Sequence, residues 1–168
     1  MRRLLAAAAL SALAGAACDA CHGAGASPFP GGGRFLAQRV AQRTTTLVNA
    51  PAWATYCPAD STLVIVTLGR RWSGGLAVRA IQPLNAPRDF QVQASLGEVG
   101  TAVAAFRAPE AGAARVGVGG TIRLAATSAV NGRFEIALPD SGGAHVSIRG
   151  TLSGVPVSML AAATCSPP

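Results

Sequence analysis

Cys18-Asp19-Ala20-Cys21-His22 is the densest group of reactive side chains in this 168-residue chain. Two thiols separated by two residues, with an imidazole next to the second, suit covalent haem attachment. Each thiol adds to a vinyl group, and His22 becomes the proximal iron ligand. A sixth ligand would come from His145 or Met159, since the sequence holds no other histidine and its only other methionine is Met1. Cys18 also suits a second chemistry. It follows Ala14-Gly15-Ala16-Ala17, and a cysteine behind a run of small residues can accept a thioether-linked diacylglycerol. A lipidated Cys18 has no thiol left for haem, so the two chemistries exclude one another. Zinc fits neither: two cysteines and His22 this close cannot surround a tetrahedral ion without a second pair of ligands, and the sequence offers none.

The residues ahead of Cys18 have the order of an export signal. Arg2 and Arg3 are positive, Leu4 to Leu13 is uncharged and apolar apart from one serine, and Ala14 to Ala17 are small. The apolar stretch is shorter than the roughly 20 residues that span a bilayer. Residues 1–17 are therefore read as a signal peptide and left out of the fold. Ala14, Gly15, Ala16, Ala17 and Cys18 resemble the lipobox of bacterial lipoproteins, with Gly15 where those signals usually carry leucine. The resemblance implies that Cys18 becomes the first residue of an exported protein, bearing diacylglycerol and an acylated amine (palmitate-type chains). Two or more chains anchor stably, because each buried CH₂ contributes about 0.8 kcal/mol. It places the protein on the periplasmic or extracellular face of a cell-envelope membrane. Asp19 is similar to an inner-membrane retention signal of enteric bacteria. Cys21-His22-Gly23 is similar to segments of cytochromes c, which implies haem c and electron transfer as the alternative. Three features favour the lipid anchor. The motif abuts the cleavage site, Gly23 to Gly33 is too rich in Gly, Pro and Ser to form helical walls, and the remainder patterns as strands.

Beyond residue 17 about 150 residues remain, enough for one domain with a real core. All 14 basic residues are arginine. Without Arg2 and Arg3, 12 arginines face 7 acidic residues, a formal charge of +5. That balance suits an anionic surface or an envelope protein partner. The arginines are scattered and only Arg70-Arg71 are adjacent, so no nucleic-acid-binding module is expected. Cys57 and Cys165 are expected to pair in an oxidising compartment. A loop of that size is worth roughly 4 to 5 kcal/mol in the chain-entropy model.

Residues 18–34 carry the anchor cysteine and a Gly/Pro/Ser-rich linker, a tether of roughly 20 to 25 Å. The β domain is expected over 35–168. Phe35 to Gln42 fits a strand or a short helix. Residues 52–57, 62–68, 72–81, 90–94 and 101–106 pattern as strands, with a turn at Pro83 to Pro87 and a loop at Pro109 to Ala114. Towards the C-terminus, Ile122 and Leu124 alternate with Thr121 and Arg123. Phe134, Ile136 and Leu138 alternate with Arg133, Glu135 and Ala137, and Val146 and Ile148 with Ser147 and Arg149. Asn131-Gly132 is a turn or bulge signal, and Pro139 to Gly143 is a turn signal. Eight to ten short strands predict an all-β fold, an antiparallel β-sandwich or partly open barrel. Arg133, Glu135 and Arg149 are expected as cross-strand charge neighbours on the solvent face. The runs Gly120-Thr121-Ile122-Arg123-Leu124, Val130-Asn131-Gly132-Arg133-Phe134 and Gly150-Thr151-Leu152 are similar to meanders of bacterial envelope lipoproteins, a resemblance that implies no activity.

Catalytic chemistry is not expected. His145, Asp140 and Ser141 lie within six residues around one turn, with no nucleophile elbow. A chain without lysine cannot form a phosphate-binding loop of the Walker type, so Gly117-Val118-Gly119-Gly120 is read as a hairpin approach. Trp53, Tyr56 and Trp72 are assigned to packing, although they could line a small-ligand cleft. The expected function is a structural or recognition role at a membrane surface, without a cofactor.

Overall fold

The computed structural model describes residues 32–41, 44–69, 72–81, 84–107, 113–139 and 145–159. Period-two alternation sets which side of each strand is buried. In β1 (Gly33–Ala41) Phe35 and Ala37 point inward; in β2 (Thr44–Cys57) Val48, Ala50, Ala52, Ala54 and Tyr56 do. The same rule buries Leu63, Ile65 and Thr67 of β3 (Thr62–Leu68) and Leu76 and Val78 of β4 (Ser73–Arg79). It buries Phe90 and Val92 of β5 (Leu84–Val92), and Ala102, Ala104 and Phe106 of β6 (Thr101–Arg107). A two-residue strand, β7 (Arg115–Val116), precedes β8 (Gly119–Ala126), β9 (Ala129–Pro139) and β10 (His145–Met159). The inward residues of β8 to β10 include Ile122, Leu124, Phe134, Ile136, Ile148 and Leu152.

All ten strands belong to one sheet in the order β4-β3-β2-β1-β10-β9-β8-β5-β6-β7. An antiparallel ladder between β4 and β6, from Ser73 opposite Arg107 to Val78 opposite Ala102, closes nine of them into a barrel. β7 lies outside, paired to β6. The fold is thus all-β as expected, and the barrel is closed. Two contacts are parallel, β5 with β6 and the end of β10 with the end of β2. β10 pairs with β1 as far as Ser153, then runs beside β2 once β1 has begun. Closure leaves one interior, filled by a single continuous hydrophobic cluster. At its centre the rings of Phe35, Phe106 and Phe134 meet, with centroids 5.2 Å apart for Phe35–Phe134, 6.0 Å for Phe35–Phe106 and 6.4 Å for Phe106–Phe134.

Several local expectations are corrected. Of the strand and the short helix that Phe35 to Gln42 fits, the described residues form the strand, but it begins at Gly33, inside the expected linker. Of the turn expected at Pro83 to Pro87, the described residues 84–87 belong to a strand: β5 starts at Leu84, and its register against β8 shifts between Leu84 and Arg88. That irregularity accommodates Pro87, which has no N–H for a ladder. Asn131-Gly132 makes no turn: it lies within β9 where the register against β10 shifts, as its bulge alternative allows, and the reversal falls at Thr127-Ser128. The pair has other work. Asn131 Oδ1 accepts a hydrogen bond from Gly154 N at 2.9 Å, where β10 slips register between Leu152 and Val155. Any Cβ on Gly132 would lie 2.6 Å from Leu124 Cδ2 and also strike the Arg123 carbonyl.

Candidate functional site

Three consecutive antiparallel strands carry an arginine on the outer wall. Arg123 of β8, Arg133 of β9 and Arg149 of β10 alternate with the buried residues Ile122, Phe134 and Ile148 and so face out. Register sets their neighbours in two rows. In one, Gln38 of β1 faces Arg149, Arg149 faces Glu135, and Glu135 faces Thr121. In the other, Thr151 faces Arg133, Arg133 faces Arg123, and Arg123 faces Asp89 of β5. These side chains line a recess of about 580 Å³ on the outer wall, with Phe134 and Gly150 also contributing to its lining.

Two contacts orient the cations. Arg149 Nε donates to Gln38 Oε1 at 3.1 Å, fixing the plane of its guanidinium. Arg123 Nη1 pairs with Asp89 Oδ2 at 2.9 Å. Both partners of that pair are about half exposed, at 44% and 51%, so solvent screens it and it holds little stability. Arg123 and Arg133 stand directly opposite each other, an arrangement that is unfavourable on a sheet. Glu135 is the second carboxylate of the recess. A planar guanidinium offers a fork of donors that matches a carboxylate or phosphate, and the threonine hydroxyls and the Gln38 amide both donate and accept. The arrangement can bind an oxyanion and its hydroxylated surroundings.

Gly150 keeps the floor of this wall thin. A Cβ there would lie 2.6 Å from Phe134 Cζ and strike the Leu36 carbonyl of the adjacent strand. The glycine lets the Phe134 ring lie across from it on the inner side, since Gly150 and Phe134 are register partners.

The expected neighbours Arg133, Glu135 and Arg149 are thus on one exposed face, with Glu135 directly opposite Arg149. Sequence reasoning missed Arg123, Gln38 and Asp89 as members of the group. The signal was present for Arg123, an outward position on a strand next to β9, but Gln38 and Asp89 come from β1 and β5, whose neighbours no local pattern names. Other candidates are dispersed or unseen. Cys18, Cys21 and His22 lie outside the described residues, as do Asp140 and Ser141. Cys57 ends β2 and is buried, while Cys165 lies outside the described residues. His145 and Met159 are the first and last residues of β10. Trp72 packs inside, 6.4 Å from Phe106, and Tyr56 is buried facing inward. Trp53 is half-buried on the outer side of β2, its Nε1 2.9 Å from where a Gly32 Cβ would stand. Among the described residues no group of three His, Cys, Asp or Glu side chains could hold a metal ion. Comparison with protein-family models, curated proteins and solved structures gives no match, so the recess is read from its own chemistry.

Proposed function

We propose that this chain is an exported protein, anchored through lipid on Cys18 in the cell envelope, whose β-barrel serves a structural or recognition role without catalysis. The observation that carries the recognition role is the cationic recess on the outer wall, whose side chains sheet strands hold in register. The anchor rests on the order of charge, apolar core and small residues ahead of Cys18. A Gly/Pro/Ser-rich tether would let the barrel work just off the membrane surface, against an envelope protein or an anionic surface. A Cys57–Cys165 bridge would suit that oxidising compartment.

Intact mass of the protein purified from its host's membrane fraction tests the reading. The expected species begins at Cys18 with diacylglycerol and acyl mass, and Cys18→Ser releases the barrel from the membrane. The Cys-x-x-Cys-His motif itself favours one rival, an electron-transfer protein with haem c on Cys18, Cys21 and His22. A red protein heavier by one haem, with colour lost in His22→Ala, would establish it and overturn the lipid anchor.

A further inference from the structure

We infer that the outer-wall recess binds an acidic glycan, a hydroxylated chain with carboxylates spaced along it. The inference rests on the recognition reading above and names its ligand class. Arg123 and Arg133 are opposed across adjacent strands, so an oxyanion bridging them relieves a repulsion that Asp89 answers from one side only. Arg149 holds its guanidinium plane through Gln38 in the neighbouring row. It lies two strand spacings from Arg123, roughly 10 Å across the wall. The recess therefore has two separated places for oxyanions, each suited to the bidentate geometry of a carboxylate.

What lies between them selects the class. Glu135 faces Arg149 on one side and Thr121 on the other, and Thr151 faces Arg133. A carboxylate in the middle of the site repels a densely charged polymer such as nucleic acid or polyphosphate. It accepts hydrogen bonds from sugar hydroxyls, and the threonine hydroxyls complete the same pattern. A bilayer surface is the weaker fit. Its anionic headgroups would meet Glu135 and Asp89 among the arginines.

The test is calorimetric titration of the full-length protein, in detergent, with a defined hyaluronan oligosaccharide, which carries a carboxylate on every second sugar only and so leaves a neutral sugar beside Glu135. A neutral maltooligosaccharide, inorganic phosphate and phosphatidylglycerol-containing vesicles run as separate arms. Saturable binding of the hyaluronan oligosaccharide alone is expected, weakened about tenfold by Arg133→Ala or Arg149→Ala. Arg107→Ala removes the same charge from exposed β6 and should leave it unchanged. Asp89→Ala, which frees Arg123, should tighten it. An equal loss in Arg107→Ala would show general charge attraction and overturn the site. Binding to phosphate or to vesicles in place of the oligosaccharide would overturn the glycan assignment in favour of a phosphate group or a membrane face. No binding by a correctly lipidated protein would overturn this inference alone, because the anchor is judged by mass and fractionation.

Discussion

Removing the Phe134 ring should reveal whether the sheet truly closes around one interior. Phe134 is 3% exposed and touches both other rings of the central group, Phe35 at 5.2 Å and Phe106 at 6.4 Å. Truncating a buried phenylalanine to alanine costs about 3 to 5 kcal/mol, from lost transfer energy and the cavity left behind. About 0.5 to 1.5 kcal/mol of that belongs to each aromatic pair. A domain of this size holds about 5 to 15 kcal/mol in all, so Phe134→Ala should take away a large share of it. At about 3 °C per kcal/mol, the midpoint of thermal unfolding should fall by about 10 to 15 °C. Circular dichroism melts and urea titrations of the full chain measure the effect. A cycle of Phe35→Leu, Phe134→Leu and the double variant isolates the pair, with a coupling of about 0.5 to 1.5 kcal/mol expected. A cost below about 1 kcal/mol for Phe134→Ala, as at an exposed position, would refute a packed interior enclosed by β4–β6 pairing.

Two further predictions follow from named contacts and a third from the proposed disulfide. Gly150→Ala should destabilise by at least about 1 to 3 kcal/mol, since the new methyl meets Phe134 and the Leu36 carbonyl, while Gly119→Ala, with nothing within 4 Å, should stay within about 0.5 kcal/mol of the parent in the same urea assay. Thr67 is buried and donates through Oγ1 to the Pro51 carbonyl at 3.0 Å, so Thr67→Val should cost about 1 kcal/mol and leave the denaturant slope unchanged. If the proposed Cys57–Cys165 bridge forms, Cys165→Ser should lower stability by up to about 5 kcal/mol under oxidising conditions and have little effect in reductant; equal stability in both would refute the bridge.

Local pattern told most about the strands with strict alternation. Residues 62–68 form a strand with the expected bounds, and the inward and outward sets of β8, β9 and β10 are those the sequence implies. Closure was not legible. The β4–β6 ladder and the parallel pairings of β5 with β6 and β2 with β10 depend on contacts that leave no local signature. Turn residues misled where packing used them differently: Gly132 serves a close backbone approach, and Pro87 sits in a register shift. The recess was half legible for the same reason. Arg133, Glu135 and Arg149 share an outward period on adjacent strands, but Gln38 reaches Arg149 across 111 residues of sequence.

The two-partner course of β10 bears on when this molecule can take shape. β1 is held between β2 and β10, and the end of β10 lies against β2 beyond the start of β1. Hairpins such as β8–β9 can form as soon as they are made, but the wall that joins early strands to late ones cannot. Its loop-closure entropy must be met before any of its rungs form, which makes assembly slow and late. During synthesis the chain stays uncommitted until β10 is available. On the export proposed above, such a delay would keep the chain fit for passage as an unfolded thread and defer the barrel to the far side.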